Sequence, residues 1–351
     1  MKPTLFVFGL GYVGVRVGLA AQELGWRVCG SVRAVDRAEE LYRATGIEAH
    51  TFDLDEEYSG LSSTGLLALA DASHLLCTVP PVADLDRDPL LALHGADVMQ
   101  ATSESGRLRW AGYLSTTSVY GDHSGAWVDE SSETRAPAGS AGFHRLGAER
   151  EWLDLQRATD GRLETRVFRL AGIYGPGRSA LDTVARAAAK QQAEDGDPPS
   201  QELTAPPPAV VPHTHAGASA SSATPPPRYV SRVHVDDICA ALLASMQQAP
   251  LSAGSSNGDD GRVFNVADDD PAPRGEVMEY ASGLLGVPPR AAAAATGAPS
   301  GGSGGRARRR ATEHKRVSNA RLRSSLMPEG LTYPSYREGL RSINGGAAAA
   351  D

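Results

Sequence analysis

The chain has 351 residues, 41% hydrophobic and 22% charged, enough apolar material for a real core, so wholesale disorder is excluded. No apolar run reaches the roughly 18 residues of a spanning helix. The balance of 34 Lys+Arg against 42 Asp+Glu, net −8, has the wrong sign for a general nucleic-acid binder. Three cysteines, Cys29, Cys77 and Cys239, are too few for a disulfide framework and are not at metal-ligand spacing. The expectations are therefore a reducing compartment, the cytoplasm or an organelle if a leader has been removed, with no membrane, no nucleic acid and no metal. No basic leader or signal-peptide core precedes the first apolar run.

That run, Thr4–Phe8, reads as a strand, followed by a helix from about Val13 to Leu24. Further strands are expected at Arg27–Ser31, Glu48–Phe52, Ser73–Thr78, Trp110–Ser115 and Thr165–Leu170, with a helix from about Gly142 to Ala158. Short, near-continuous apolar strands separated by helices imply a parallel sheet buried on both faces, with right-handed crossovers. The fold class is α/β, a Rossmann-type doubly wound parallel sheet. The composition then breaks. Residues 191–228 hold nine of the 23 prolines and read as a disordered Pro/Ala-rich insertion. Ordered segments resume with a strand at Tyr229–Val235, a helix at Asp236–Met246, a polar loop at Ser252–Gly261, a strand at Val263–Val266 and a helix at Glu276–Leu285. Residues 291–310 form a low-complexity linker ending in a basic cluster, more simply a solvated segment than a nuclear or nucleic-acid patch. A short helix near Tyr336–Ile343 precedes a tail, Gly345 to Asp351, expected to fray.

The first strand ends in Gly9-Leu10-Gly11-Tyr12-Val13-Gly14, a G-x-G-x-x-G between a strand and a helix. Gly9 permits the tight turn, Gly11 lets the backbone approach a pyrophosphate, and Gly14 lets helix and strand pack closely. The amides of Tyr12 and Val13 open the helix, whose positive end favours phosphate. The second strand ends Gly30-Ser31-Val32-Arg33, without the acidic residue an NAD site uses on the ribose. Arg33 suits a 2′-phosphate, so NADP is expected over NAD, with Ser31 beside it. The alternative is a solvated Arg33. Asp53 and Leu54 follow the third strand where an adenine edge would lie. Val79 and Pro80 follow the fourth, where they would line the cofactor or form a rigid loop.

Several stretches together resemble the extended short-chain dehydrogenase/reductases, the NAD-dependent epimerase/dehydratase superfamily, in an atypical branch. They are the glycine turn, Leu114-Ser115-Thr116-Thr117-Ser118-Val119-Tyr120-Gly121, Trp127-Val128-Asp129-Glu130, and Arg169-Leu170-Ala171-Gly172-Ile173-Tyr174-Gly175-Pro176-Gly177. Arg232-Val233-His234-Val235-Asp236-Asp237-Ile238 and Val263-Phe264-Asn265-Val266 follow. The resemblance implies a Rossmann domain from residues 1–174 plus about 235–267. It also implies a smaller C-terminal substrate-binding part from about 175–234 and 268–344. By analogy it implies a small-molecule substrate such as a sugar nucleotide, and a homodimer.

Family chemistry uses a Ser or Thr at the end of the fifth strand and a Tyr-x-x-x-Lys on the next helix. Thr116, four residues before Tyr120, takes the first position, as a substrate-orienting hydroxyl or as a strand-end residue bonded to backbone. The pair itself is missing. Ala141 stands at the Tyr position and Arg145 at the Lys position, and the chain's three lysines, Lys2, Lys190 and Lys315, lie elsewhere. Arg145 suits a ribose or phosphate but cannot act as acid or base. His144 and Tyr174 are the substitute proton donors considered, with packing or surface roles as the alternative. Asp236 and Asp237 read as helix-capping residues rather than catalytic ones. Two functional readings stay open. One is an NADP-dependent oxidoreductase or epimerase-like enzyme with a rebuilt acid/base set. The other is a catalytically silent NADP(H)-binding sensor or docking module.

Overall fold

The computed structural model describes residues 2–54, 60–82, 85, 87–195, 227–248, 261–288 and 314–348. In chain order the first elements are β1 (Thr4–Phe8), α1 (Tyr12–Glu23), β2 (Arg27–Val32), α2 (Val35–Thr45), β3 (Glu48–Asp53), β4 (Gly60–Leu61), α3 (Ser63–Ala70), β5 (His74–Cys77) and α4 (Pro89–Ala101). Then come β6 (Trp110–Thr116), a 3₁₀ turn (Thr117–Tyr120), β7 (Trp127–Val128), α5 (Ala141–Ala158), β8 (Glu164–Leu170), β9 (Gly172–Tyr174) and α6 (Ala180–Asp195). The remainder is β10 (Tyr229–Val230), β11 (Arg232–His234), α7 (Val235–Gln247), β12 (Val263–Val266), β13 (Ala272–Pro273), α8 (Arg274–Leu285), β14 (Arg316–Val317), α9 (Ala320–Ser325) and α10 (Tyr336–Ala348).

The central sheet runs β12-β8-β6-β5-β1-β2-β3-β4, and every pairing is parallel except the short return β3–β4. Alternation along β1 assigns its side chains to opposite faces. Leu5 and Val7 join one buried cluster with Val17 of α1 and Ile238 and Leu242 of α7. Phe6 and Phe8 join the other with Val98 of α4 and Trp152 of α5. Both faces are thus covered, as a parallel sheet requires. A third cluster, built from Leu181 and Val184 of α6, Val277 and Met278 of α8 and Tyr336 and Leu340 of α10, lies apart from the sheet. The chain runs from β1 outward through β2 and β3, then returns to lay β5 on the other side of β1. The crevice at that reversal, beyond the strands' carboxyl ends, is where a doubly wound sheet presents a ligand site.

Strands read from the sequence fall within a residue or two of their observed bounds, with one exception. The run 229–235 is not one strand: it breaks at Ser231 into β10 and β11, and Val235 already begins α7. Ser231 is drawn out of line because its carbonyl accepts from the Gly172 amide and its hydroxyl from the Val317 amide. Residues 191–195, assigned to the insertion, are helical, and α10 continues to Ala348 past the point where fraying was expected. The rest of the proline-rich insertion up to 226, the polar loop up to 260 and the basic linker lie outside the described residues.

Helix α4 opens with Asp88 as N-cap, accepting from the Leu91 amide at 3.1 Å, and Pro89 in its first turn. Asp88 is 1% exposed, and burial pushes its carboxyl up to about 6. A folded-state pKa above the unfolded value means the native state binds the extra proton between about pH 4 and 6. Stability should therefore fall by ~2 kcal/mol as pH rises through that window and level off above it. Asp88→Asn, which keeps the capping oxygen, should flatten that part of the curve in urea unfolding at stepped pH. A wild-type curve already flat from pH 4 to 6 would contradict this account.

Candidate functional site

The glycine-rich turn is fixed from three strands. Gly9 has φ +91°, and its N–H donates to Ser31 Oγ of β2 at 3.1 Å. Its carbonyl accepts from Thr78 Oγ1, just beyond β5, at 2.6 Å and from the Gly11 amide at 2.8 Å. A Cβ on Gly14 would lie 2.4 Å from that same carbonyl oxygen, so α1 approaches the turn as closely as a glycine allows. A Cβ on Gly11 would meet no atom within 4 Å. The space over Gly11 is open, and the first amides of α1, at Tyr12 and Val13, have no intrahelical acceptor there. That geometry suits a phosphate.

Ser31 is 1% exposed and its Oγ accepts from the Gly9 amide, so it braces the turn from beneath. Arg33, one residue beyond β2, is exposed and has no acceptor among the described residues. Asp53 ends β3 opposite Gly60, and Leu54 packs against the second cluster. Val79 lies against the turn, 3.3 Å from where a Cβ on Gly9 would sit, and Pro80 is exposed beside it.

At the end of β6, Thr116 is half-buried and caps the 3₁₀ turn, accepting from the Ser118 amide at 3.2 Å. Ala141 is exposed, and Gly142 packs so closely that a Cβ would lie 2.5 Å from the Ser118 carbonyl oxygen. Arg145 Nη1 donates to the Leu114 carbonyl and, at 3.4 Å, to Tyr113 Oη, which ties it to β6. His144 is half-buried with its ring edge-on to Phe143 at 5.9 Å. Tyr174 packs inward. It is 6% exposed in the third cluster, and its hydroxyl donates to the Ser335 carbonyl at 3.3 Å. Burial and the nearby Asp268 and Asp237 push its pKa far up. The cap of α7 is His234, whose Nδ1 accepts from the Asp236 amide, and neither aspartate takes that role. Asp237 instead accepts from the Thr332 and Tyr333 amides at 2.7 and 3.0 Å, and Asp236 pairs with Arg16 at 3.4 Å. The three cysteines are buried thiols whose pKa burial raises, Cys29 and Cys239 to about 12, so none is poised as a nucleophile.

Single-residue reading missed a buried polar chain behind Thr116. Ser115 Oγ donates to Glu149 Oε1 at 2.5 Å, Arg169 forks onto Glu149 at 2.8 Å, and Arg169 Nη1 donates to Tyr120 Oη at 2.9 Å. Tyr120 Oη donates to Asn265 Oδ1 at 2.8 Å, and the Asn265 amide donates to Glu130 at 2.7 Å. The sequence signal was available, as an arginine inside an apolar strand and a glutamate one turn beyond Arg145. Each group is satisfied, so the chain locks β6, the 3₁₀ turn, α5, β8 and β12 in register. Tyr120 is wholly buried in it and burial pushes its pKa up to about 12, so it serves structure.

Two stability measurements test this geometry. Gly11→Ala should cost no more than about 1 kcal/mol, as an N-cap change into open space. Gly14→Ala should cost about 1–3 kcal/mol through overpacking. Arg169→Met should cost about 3–5 kcal/mol by stranding the Glu149 charge, with much of the loss recovered when Glu149→Gln is added. Equal costs at the two glycines, or an Arg169→Met variant as stable as wild type in chemical denaturation, would contradict it.

No protein-family model matches the chain. Protein YeeZ of Escherichia coli K12 is 30% identical over 172 residues, which is 49% of this chain and 59% of YeeZ, so the chain spans about three fifths of that relative. A functionally unknown conserved protein from Silicibacter pomeroyi is 31% identical with 99% of both chains covered and a TM-score of 0.68. A candidate NAD-dependent epimerase/dehydratase from Methylobacillus flagellatus is 20% identical, covering 100% of this chain and 99% of that one, TM-score 0.60. UDP-glucuronic acid 4-epimerase from Bacillus cereus, in complex with UDP-glucuronic acid and NAD, is 14% identical, covering 99% and 100%, TM-score 0.60. Among the described residues no helix is long and apolar enough to cross a membrane, and no cluster of side chains could hold a metal. The chain belongs to one family with the Silicibacter pomeroyi protein, and its fold is that of the extended short-chain dehydrogenase/reductases of the NAD-dependent epimerase/dehydratase superfamily.

Proposed function

We propose that the chain binds NADP(H) in the crevice above Gly9–Gly14 and works as an oxidoreductase or epimerase-like enzyme on a small polar substrate, with a sugar nucleotide as the class to test first. The observation that carries the cofactor reading is the open space over Gly11 in a turn otherwise packed to contact. The amides of Tyr12 and Val13 would receive the pyrophosphate, Asp53 and Leu54 would border the adenine, and Val79 and Pro80 the nicotinamide half. Arg33, exposed and without an acceptor among the described residues, supports NADP over NAD. The cofactor, when bound, supplies or accepts hydride. The chain's own part is to hold it and the substrate, with the Thr116 hydroxyl at the mouth of the crevice as the orienting group. The third cluster, between α6, α8 and α10, would form the substrate-binding part. Likeness to a fold whose solved members include a UDP-sugar epimerase is the support for the substrate class. A reducing compartment such as the cytoplasm and a homodimer remain part of this reading.

A second reading is favoured by one observation. With Ala141 at the tyrosine position and Arg145 bonded to the β6 backbone, neither half of the usual proton-transfer pair is present. The chain would then hold NADP(H) without turnover, as a sensor or docking module. Titration with NADPH and NADH separates cofactor binding from its absence, and a screen of UDP-sugars for NADPH oxidation or epimer formation separates the two readings. Arg33→Asp should weaken NADPH by roughly 1–3 kcal/mol more than NADH. Equal losses for both cofactors in isothermal titration would remove the NADP preference.

A further inference from the structure

The loop from β9 to α6 is built as a rigid turn. Gly175 and Arg178 exchange backbone hydrogen bonds, N–H to O at 3.2 and 3.0 Å, around Pro176 and Gly177, and Gly177 has φ +74°. Proline followed by a glycine at positive φ is the chemistry of a type II turn. Beyond it, Ser179 is fixed by its amide and hydroxyl, which both donate to Asp182 at 2.6 Å. The turn docks on the first residue of α1. Tyr12 Oη donates to the Pro176 carbonyl at 3.1 Å, and a Cβ on Gly175 would lie 2.5 Å from that hydroxyl. The backbone of Arg178 is therefore held in a set place beside the glycine-rich turn, with its guanidinium carbon 5.6 Å from the centre of the Tyr12 ring.

Its neighbours are engaged. Arg16, on the same ring at 5.1 Å, pairs with Asp236. Asp182, the acid within the loop's own helix, is occupied by Ser179. Arg178 is exposed, and its side chain has no hydrogen bond or ion pair among the described residues. A backbone fixed on both sides and a guanidinium without an acceptor among the described residues is the arrangement of a ligand-binding arginine more than of a solvated one. Arginine is suited to it because its planar fork matches phosphate oxygens.

We propose that Arg178 is an anion-binding residue that closes on a phosphoryl group at the mouth of the glycine-rich turn, joining the β9–α6 loop to the crevice through the ligand. The group would be the pyrophosphate of the cofactor or a phosphate of the substrate. The proposal rests on the cofactor reading above for which of these is bound, but not for the anion site itself.

The test is titration calorimetry on the full chain, wild type against R178A and R178K, with NADPH, with inorganic pyrophosphate, and with UDP-glucose added to the NADPH-loaded protein. Thermal melting should change little in R178A, because the exposed side chain has only the Tyr12 ring as a partner among the described residues. A rise in Kd of about tenfold in R178A, partly restored in R178K, is the expected result. A loss on NADPH and pyrophosphate assigns the anion to the cofactor, whereas a loss on UDP-glucose alone assigns it to the substrate. R178A-to-wild-type ratios below about threefold on all three probes overturn the proposal. A wild type that binds pyrophosphate but not NADPH sinks the cofactor reading instead and leaves Arg178 to be judged on pyrophosphate. A wild type that binds none of the probes overturns both.

Discussion

The peptide group of Gly9 is the constraint on which the rest of the molecule turns. Its amide is held by Ser31 and its carbonyl by Thr78 and by the Gly11 amide, so three neighbouring strands agree on one backbone conformation at φ +91°. α1 then starts in a fixed direction, and Gly14 closes the last gap against the same carbonyl. The backbone donors at the start of α1 are consequently held in one place. Ser31 and Thr78 act on that geometry through their hydrogen bonds to Gly9.

A second organisation lies on the other side of Thr116. The chain from Ser115 through Glu149, Arg169 and Tyr120 to Asn265 and Glu130 crosses five elements with every polar group matched. Buried ion pairs of this kind add little net stability compared with a well-packed apolar core, but they penalise any register that leaves a charge unmatched. The end of β6, where Thr116 sits, is therefore held firmly in place.

Much of this was legible in the sequence. The apolar strands, the glycine spacing and the absence of Tyr-x-x-x-Lys are local patterns, and local patterns survive folding. Helices α2, α3 and α4 were less visible. α2 buries only Leu41 among its side chains, and α4 departs from helical backbone at His94, so neither shows a clean apolar stripe. Residue roles were harder to read than elements. Ser31 and Tyr174 looked like ligand-facing groups and Asp237 like a helix cap, yet each has its polar atoms taken by backbone distant in sequence: Gly9, Ser335, and the Thr332 and Tyr333 amides. A polar residue at a motif position can satisfy a neighbour's backbone as readily as a ligand, and only the tertiary arrangement decides which.

The edge strand β12 carries a further consequence. It pairs with β8 from Val263↔Val167 to Val266↔Leu170, and Phe264 stacks on Phe168 with ring centres 5.8 Å apart. During synthesis β8 leaves the ribosome long before the segment that will cover it. Until then a hydrogen-bonding edge and an aromatic face stand exposed to other nascent chains, the condition under which intermediates aggregate. Closure over so long a sequence separation is also slow. The segment between the two strands, however it is composed, sets how long that exposure lasts, so lengthening it should reduce the yield of folded protein more than its effect on final stability would suggest.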